Sequence, residues 1–161
     1  MRGEPSPVRG RAMGRPMTPY HRQVTIDAAD RDDSLQHLRR LLAEARKSEY
    51  VEIWVDHGDY PSLCALIHGD SGWLMYLRYN GDAGFSTRNL GYTGPKDAVI
   101  DYYLSNGQRD EYPASWALPK ERLLEAVECF ASRGESPEWI TWFNDSGDGN
   151  ASPNDEFEAL E

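Results

Sequence analysis

Residues 118–142, LPKERLLEAVECFASRGESPEWITW, constrain the fold more than any other stretch of the chain. Leu123, Val127 and Phe130 recur at i, i+4 and i+7, with Leu124 and Ala131 flanking, so one side of a helix is apolar. Lys120, Glu121, Glu125, Glu128 and Arg133 lie largely off that side. Pro119 suits the first helical position, where its missing N–H costs nothing. Gly134 suits the left-handed residue that ends a helix, and Pro137 prevents the helix from resuming. Trp139-Ile140-Thr141-Trp142 then alternates as a short strand, with Ile140 and Trp142 on one face and Trp139 and Thr141 on the other. The stretch contains no nucleophile or metal cluster and reads as core.

The remaining pattern supplies the sheet that this unit needs. Residues 23–27 alternate, with Val24 and Ile26 on one face, and predict a first strand. Asp33 with Gln36 three residues on has the spacing of a capping box. Leu35, Leu38, Leu42 and Ala45 follow at helical spacing, predicting a helix to about Lys47. Val51, Ile53 and Val55 alternate with Glu52, Trp54 and Asp56, and Leu63, Ala65 and Ile67 with Cys64, Leu66 and His68. Gly69-Asp70-Ser71-Gly72 reads as a hairpin turn. Residues 73–79 are apolar or aromatic at nearly every position, as a central strand requires. Residues 84–88 predict a short strand, 89–96 a loop and 98–104 another strand. Tyr112 and Trp116 flank Pro113 in an edge segment or extended loop. Hairpin-length turns in the middle of the chain imply antiparallel pairing. The expected class is α+β, a mostly antiparallel sheet with two main helices packed on one face. The other face is then open, in part, to a partner.

Apolar residues make up 39% of the chain, low for a domain, and the two ends account for the deficit. Residues 1–23 hold five arginines and one acid, and residues 144–161 hold six acids and no Lys or Arg. The expected division is a disordered Arg/Gly/Pro-rich arm over 1–20, one α+β domain over 21–143 and a disordered acidic tail over 144–161. Met13 and Met17 lie inside the arm as alternative starts. Between these ends the chain still carries a net charge of −8. An acidic domain repels nucleic acid and attracts a basic partner; the same charge also serves solubility. Cys64 and Cys129 are too few for a disulfide framework or a zinc site, and buried free thiols are expected. No apolar run follows the N-terminal arginines, so neither a secretory signal nor a membrane span is expected.

No nucleotide-binding glycine loop, zinc-deaminase signature or metalloprotease motif is present. The four histidines are scattered, and Asp56-His57-Gly58-Asp59 is the one polar cluster with the makings of acid–base or metal chemistry. Adjacent turn residues seldom converge on one ion, so a solvated turn is the better reading. Asp101 sits in an otherwise apolar and aromatic strand; it needs a partner if its face is covered, and is an interface carboxylate if exposed.

One ordered set of short motifs is more specific. Gly107, Glu111, Tyr112 and Pro113, then Leu118, Pro119, Ala126, Val127 and Phe130, then Gly134, Pro137, Ile140, Thr141 and Trp142 resemble the C-terminal half of the immunity protein 1 family. Cys129-Phe130 stands where that family often has two aromatics, and Ser136 where it often has a basic residue. The resemblance implies a small cytoplasmic bacterial α+β protein encoded beside a polymorphic toxin. It implies that the chain binds and neutralises a cognate toxin domain, of the kind that includes nucleic-acid deaminases, by occluding the toxin's active site. Such a protein is not an enzyme, needs no cofactor or metal, and binds neither nucleic acid directly nor membrane. Two alternatives remain at this point: a small cytoplasmic enzyme using the Asp56–Asp59 turn, and a non-catalytic subunit of a larger complex. Segments that join aromatics to carboxylates are the candidate partner surface. They nominate Asp56, Asp59, Tyr60, Asp101, Tyr103 and Trp116.

Overall fold

The computed structural model describes residues 21–28, 31–104 and 106–155. The arm over 1–20 and the end of the tail, 156–161, lie outside the described residues. In chain order the elements are β1 (His21–Asp27), α1 (Arg31–Ala45), β2 (Tyr50–Asp56), β3 (Ser62–His68), β4 (Ser71–Leu77) and β5 (Phe85–Arg88). They continue with β6 (Val99–Tyr103), β7 (Arg109–Pro113), a 3-10 turn (Ala114–Trp116), β8 (Leu118–Pro119), α2 (Lys120–Arg133) and β9 (Thr141–Asn144). The main sheet runs β1-β2-β3-β4-β5-β9, and β6 and β7 form a separate two-stranded hairpin. The class is α+β, as expected.

Most pairs are antiparallel, and β1 alone among the main strands runs parallel to its neighbour β2. A parallel pair needs a crossover, which α1 supplies. Both helices lie on the same face. Val24, Ile26, Val51, Ile53, Val55, Leu63, Ala65, Ile67, Leu74 and Phe85 form one buried cluster with Leu38 and Leu42 of α1 and Leu123, Val127 and Phe130 of α2. Phe130 is 0% exposed. Each fully buried Val, Leu, Ile or Phe among them contributes about 1.5–3 kcal/mol of apolar transfer. Gly134 ends α2 at φ 76°, and its N–H donates to the Phe130 carbonyl.

Several boundaries differ from the sequence reading. β4 runs Ser71–Leu77 rather than 73–79, so Ser71 and Gly72 belong to the strand and not the turn, and Pro119 is the extended N-cap ahead of Lys120 rather than the first helical residue. Helix α1 begins at Arg31, two residues ahead of Asp33, and ends at Ala45, with Arg46 and Lys47 in the turn after it. The last strand is shifted two residues, to Thr141–Asn144, because Pro137–Ile140 closes a turn through the Ile140 N–H and the Pro137 carbonyl. Ile140 and Trp142 nevertheless reach the helix-side core.

Composition predicts a disordered end over 144–161; within it, residues 146–154 hydrogen-bond to the body, to Arg78 just after β4 and to Ser136. Arg78, whose side chain is 3% exposed, holds Asp82 through two bonds, Nε to Oδ2 at 2.7 Å and Nη2 to Oδ1 at 2.8 Å. Its remaining donors reach Asp148 Oδ2 at 2.6 Å and Ser146 Oγ at 3.0 Å. A buried guanidinium demands partners, and the acids of the tail supply one. Backbone donation from Asn150 and the Asn144 amide, together with Arg78, hold the Asp148 carboxyl down to about 2. The composition of this segment therefore concealed a structural use of its charges.

Candidate functional site

The register divides the second face of the sheet into rows. Glu52, Leu66 and Trp73 pair across β2, β3 and β4 in one row. The next row runs Trp54–Cys64–Met75–Ser86–Phe143 across β2, β3, β4, β5 and β9. The third is Asp56–Ser62–Leu77. This second face is covered in part. The β6–β7 hairpin folds over the first row and part of the second, burying Tyr102 with Leu66, Trp73 and Cys64 and packing against Trp54 and Met75. Tyr112 and Trp116 close over Trp73, with ring centroids 4.4 and 5.7 Å away. The hairpin docks through the Ile100 and Tyr102 side of β6, while Val99 on the other side is 54% exposed.

The hairpin stops before the third row. There a shallow cavity of about 600 Å³ is lined by Trp54, Asp56, Asp59, Tyr60, Ser62, Leu77 and Asn80. The turn between β2 and β3 forms one wall. Ser62 Oγ lies 2.6 Å from Asp56 Oδ1, to which it donates, and 3.2 Å from the Asp59 carbonyl. His57 Nε2 donates to the Phe130 carbonyl at 2.7 Å, so this ring ties the turn to the end of α2. It also meets the Phe130 ring edge-on at 4.8 Å. Trp54 Nε1 donates to Glu52 Oε2 at 2.9 Å, which fixes the indole along the floor. Among the described residues, neither Asp56 nor Asp59 forms an ion pair with Lys or Arg.

The six nominated residues thus fall in three places. Asp56, Asp59 and Tyr60 share the open cavity. Asp101 and Tyr103 lie near the hairpin loop. Asp101 Oδ2 accepts from Arg109 Nε at 3.1 Å, and its carbonyl accepts from His68 Nδ1 at 2.8 Å. That carboxylate, with its neighbour Glu111, raises the Arg109 guanidinium. Tyr103 packs edge-on against Tyr50 at 4.8 Å, and burial, then Asp101 and Glu49, push the Tyr50 hydroxyl up. Trp116 is half-buried at the hairpin base, stacked on Tyr112.

Sequence reasoning missed several residues that complete the surface. Phe143, 50% exposed, stands at the end of the Trp54 row. The Arg88 guanidinium lies over Trp116 at 4.0 Å and over Phe143 at 4.5 Å. Burial lowers its affinity for a proton. Asp145 accepts from Ser86 Oγ at 2.8 Å beside them. The available signal is the alternation of Thr141 and Phe143 against Trp142, one residue past the end of the predicted strand.

A second concavity, of about 730 Å³, lies on the opposite side along α2. Glu125, Glu128, Glu135 and Glu138 line it with Cys129 and Trp139, and Arg122 sits over the Trp139 ring at 3.8 Å. Burial pushes the Cys129 thiol up, and its Sγ donates to the Glu135 carbonyl at 3.8 Å. Cys64 is buried under the hairpin, and burial with the charges of Glu52 and Asp56 pushes its thiol well up. Neither thiol has the electropositive setting of a reactive one. Among the described residues no three His, Cys, Asp or Glu side chains are grouped to hold a metal ion, and no helix is long and apolar enough to cross a membrane. The chemistry this arrangement offers is recognition: an aromatic floor with a carboxylate rim.

Comparison with known proteins adds one finding. Residues 13–144 match the family described as immunity protein Imm1. No curated protein matches the chain.

Proposed function

The chain belongs to the Imm1 family of immunity proteins, and from that premise we propose that it binds one cognate toxin domain and occludes its active site. The toxin in this reading acts on nucleic acid, by base deamination, in the cytoplasm of the bacterium that makes both proteins. The observation that carries the reading is the half-open sheet face, where Asp56, Asp59 and Tyr60 stand beside Trp54 and Leu77 on a chain of net charge −10. Carboxylates and aromatic faces stand in for the phosphates and stacked bases that a nucleic-acid enzyme recognises. Trp116, with Arg88 and Phe143, flanks the same face, and Asp101 and Tyr103 form an outlying part of the surface. The reading requires no catalysis. It is favoured over an enzyme built on the Asp56–Asp59 turn because His57 is committed to the end of α2 and Asp56 to Ser62. The folded unit in this proposal extends from 21 to at least 155, since the Arg78 bonds tie the tail to β4.

The test is co-expression. The toxin domain encoded beside this gene, produced alone, should arrest growth and mutate nucleic acid. Co-expression with this chain should restore growth and give a stable complex on gel filtration. Persisting toxicity with no complex contradicts the reading.

A further inference from the structure

We propose that the cognate toxin docks on the row that the β6–β7 hairpin leaves uncovered, and that its occupant there is a loop carrying Lys or Arg. The inference rests on the immunity reading above and narrows it to one strip and one partner chemistry. Trp54 and Leu77 form an apolar, half-exposed floor, and Asp56 and Asp59 form the rim. A long basic side chain suits that arrangement. Its aliphatic stem lies along the indole and the leucine while its charged end meets the carboxylates.

Charge matching elsewhere in the molecule is extensive, although among the described residues Asp70, Asp97, Glu135 and Glu138 also lack a Lys or Arg partner. Asp82 and Asp148 are matched by Arg78, Asp101 and Glu111 by Arg109, and Glu128 by Arg39. Among the described residues Asp56 and Asp59 have no such match, and Asp56 accepts its one described side-chain bond at Oδ1 from Ser62. The rim is held rigidly, because His57 pins the turn to α2 and Ser62 spans the turn from within. A preorganised acidic rim loses little entropy when a cation arrives. The same negative charge disfavours a phosphate backbone as occupant. The groove along α2 is the competing surface, but there Glu125 pairs with Arg122 and Glu128 with Arg39, and the Trp139 ring already carries the Arg122 guanidinium at 3.8 Å.

The experiment measures affinity for a catalytically inactivated toxin domain, the one encoded beside this gene, against three full-length chains. These are the natural chain, the Asp56→Lys/Asp59→Lys pair, and the Glu125→Lys/Glu138→Lys pair. Both variants change the net charge equally, so a general charge effect weakens both alike. The Asp56/Asp59 pair should lose on the order of 100-fold in affinity, since like charges now face the cation, while the helix pair stays within about threefold. Should the Asp56 substitution disturb folding, Asp59→Lys alone, at an exposed position, should lose about tenfold with an unchanged melting curve. Equal binding by the Asp56/Asp59 pair and the natural chain overturns the proposal. So does an equal loss in both pairs. A dimer of the free chain that only the Asp56/Asp59 pair abolishes, with toxin binding unchanged, assigns the strip to a second copy and overturns it as well. Failure of the natural chain itself to bind the toxin overturns the immunity reading, and this inference with it.

Discussion

The two faces of the sheet solve different problems. The helix face presents aliphatic side chains to two helices, from Val24 and Ile53 through Ala65 and Leu74, and every row is closed. The second face is aromatic where it is covered, with Trp73 and Tyr102 under the hairpin, and mixed where it is not, with Trp54 and Leu77 beside Asp56 and Asp59. The covered part also contains loose ends. The Trp73 indole N–H and the Tyr102 hydroxyl are buried with no described hydrogen-bond partner. A face built only for stability seldom leaves such groups unpaired. The contrast teaches that stability is concentrated on one face, which leaves the other free to vary in shape and charge for recognition.

The largest expected effect falls on the closed face. Phe130→Ala should lower stability by about 3–5 kcal/mol, because its ring fills the contact between α2, Tyr76 and the His57 turn. Denaturant titration measures it, and a loss under 1 kcal/mol would break the distinction between the faces. Arg78→Met should cost a comparable amount, about 3 kcal/mol, since it strands the Asp82 carboxylate in the interior. Deleting residues 145–161 removes the Asp148 and Ser146 bonds but leaves the Arg78–Asp82 pair, so the loss should be smaller, about 1–3 kcal/mol.

Acid should separate the tail from the rest. The Asp148 carboxyl is held down to about 2, below its unfolded value, so its contribution is complete above about pH 4 and disappears as pH falls toward 2. Amide protection in residues 146–150 should decline through that window before the helix-side core opens. The smallest effect is expected at Tyr102→Phe. Its hydroxyl has no described partner and burial already pushes its ionisation up, so removing it should leave stability unchanged or raise it by up to about 1 kcal/mol. A clear loss would mean that the hydroxyl is bonded, and that the covered half is better built than it looks.

Local pattern revealed the closed face well and the second face poorly, for a physical reason. The apolar spacing of Leu123, Val127 and Phe130 and the alternation of Val51, Ile53 and Val55 are properties of single segments. The docking of β6–β7 over Trp73 is a long-range event. Val99–Tyr103 has apolar or aromatic residues on both sides and so carries no local sign of which one faces inward. The tail's acids resemble a solvated end because a partner of theirs, Arg78, lies about 70 positions earlier in the chain. Asp56, Asp59 and Tyr60 were legible as a polar turn. Leu77 was not, because it joins that turn only through the strand register.

The most direct measurement is hydrogen exchange of this chain free and in complex with its toxin domain. The account predicts new protection in residues 54–62, in 75–80 and around Phe143, with α1 and α2 exchanging as in the free protein. Protection confined to α2 and the Glu135–Trp139 turn, with residues 54–62 unchanged, would contradict it.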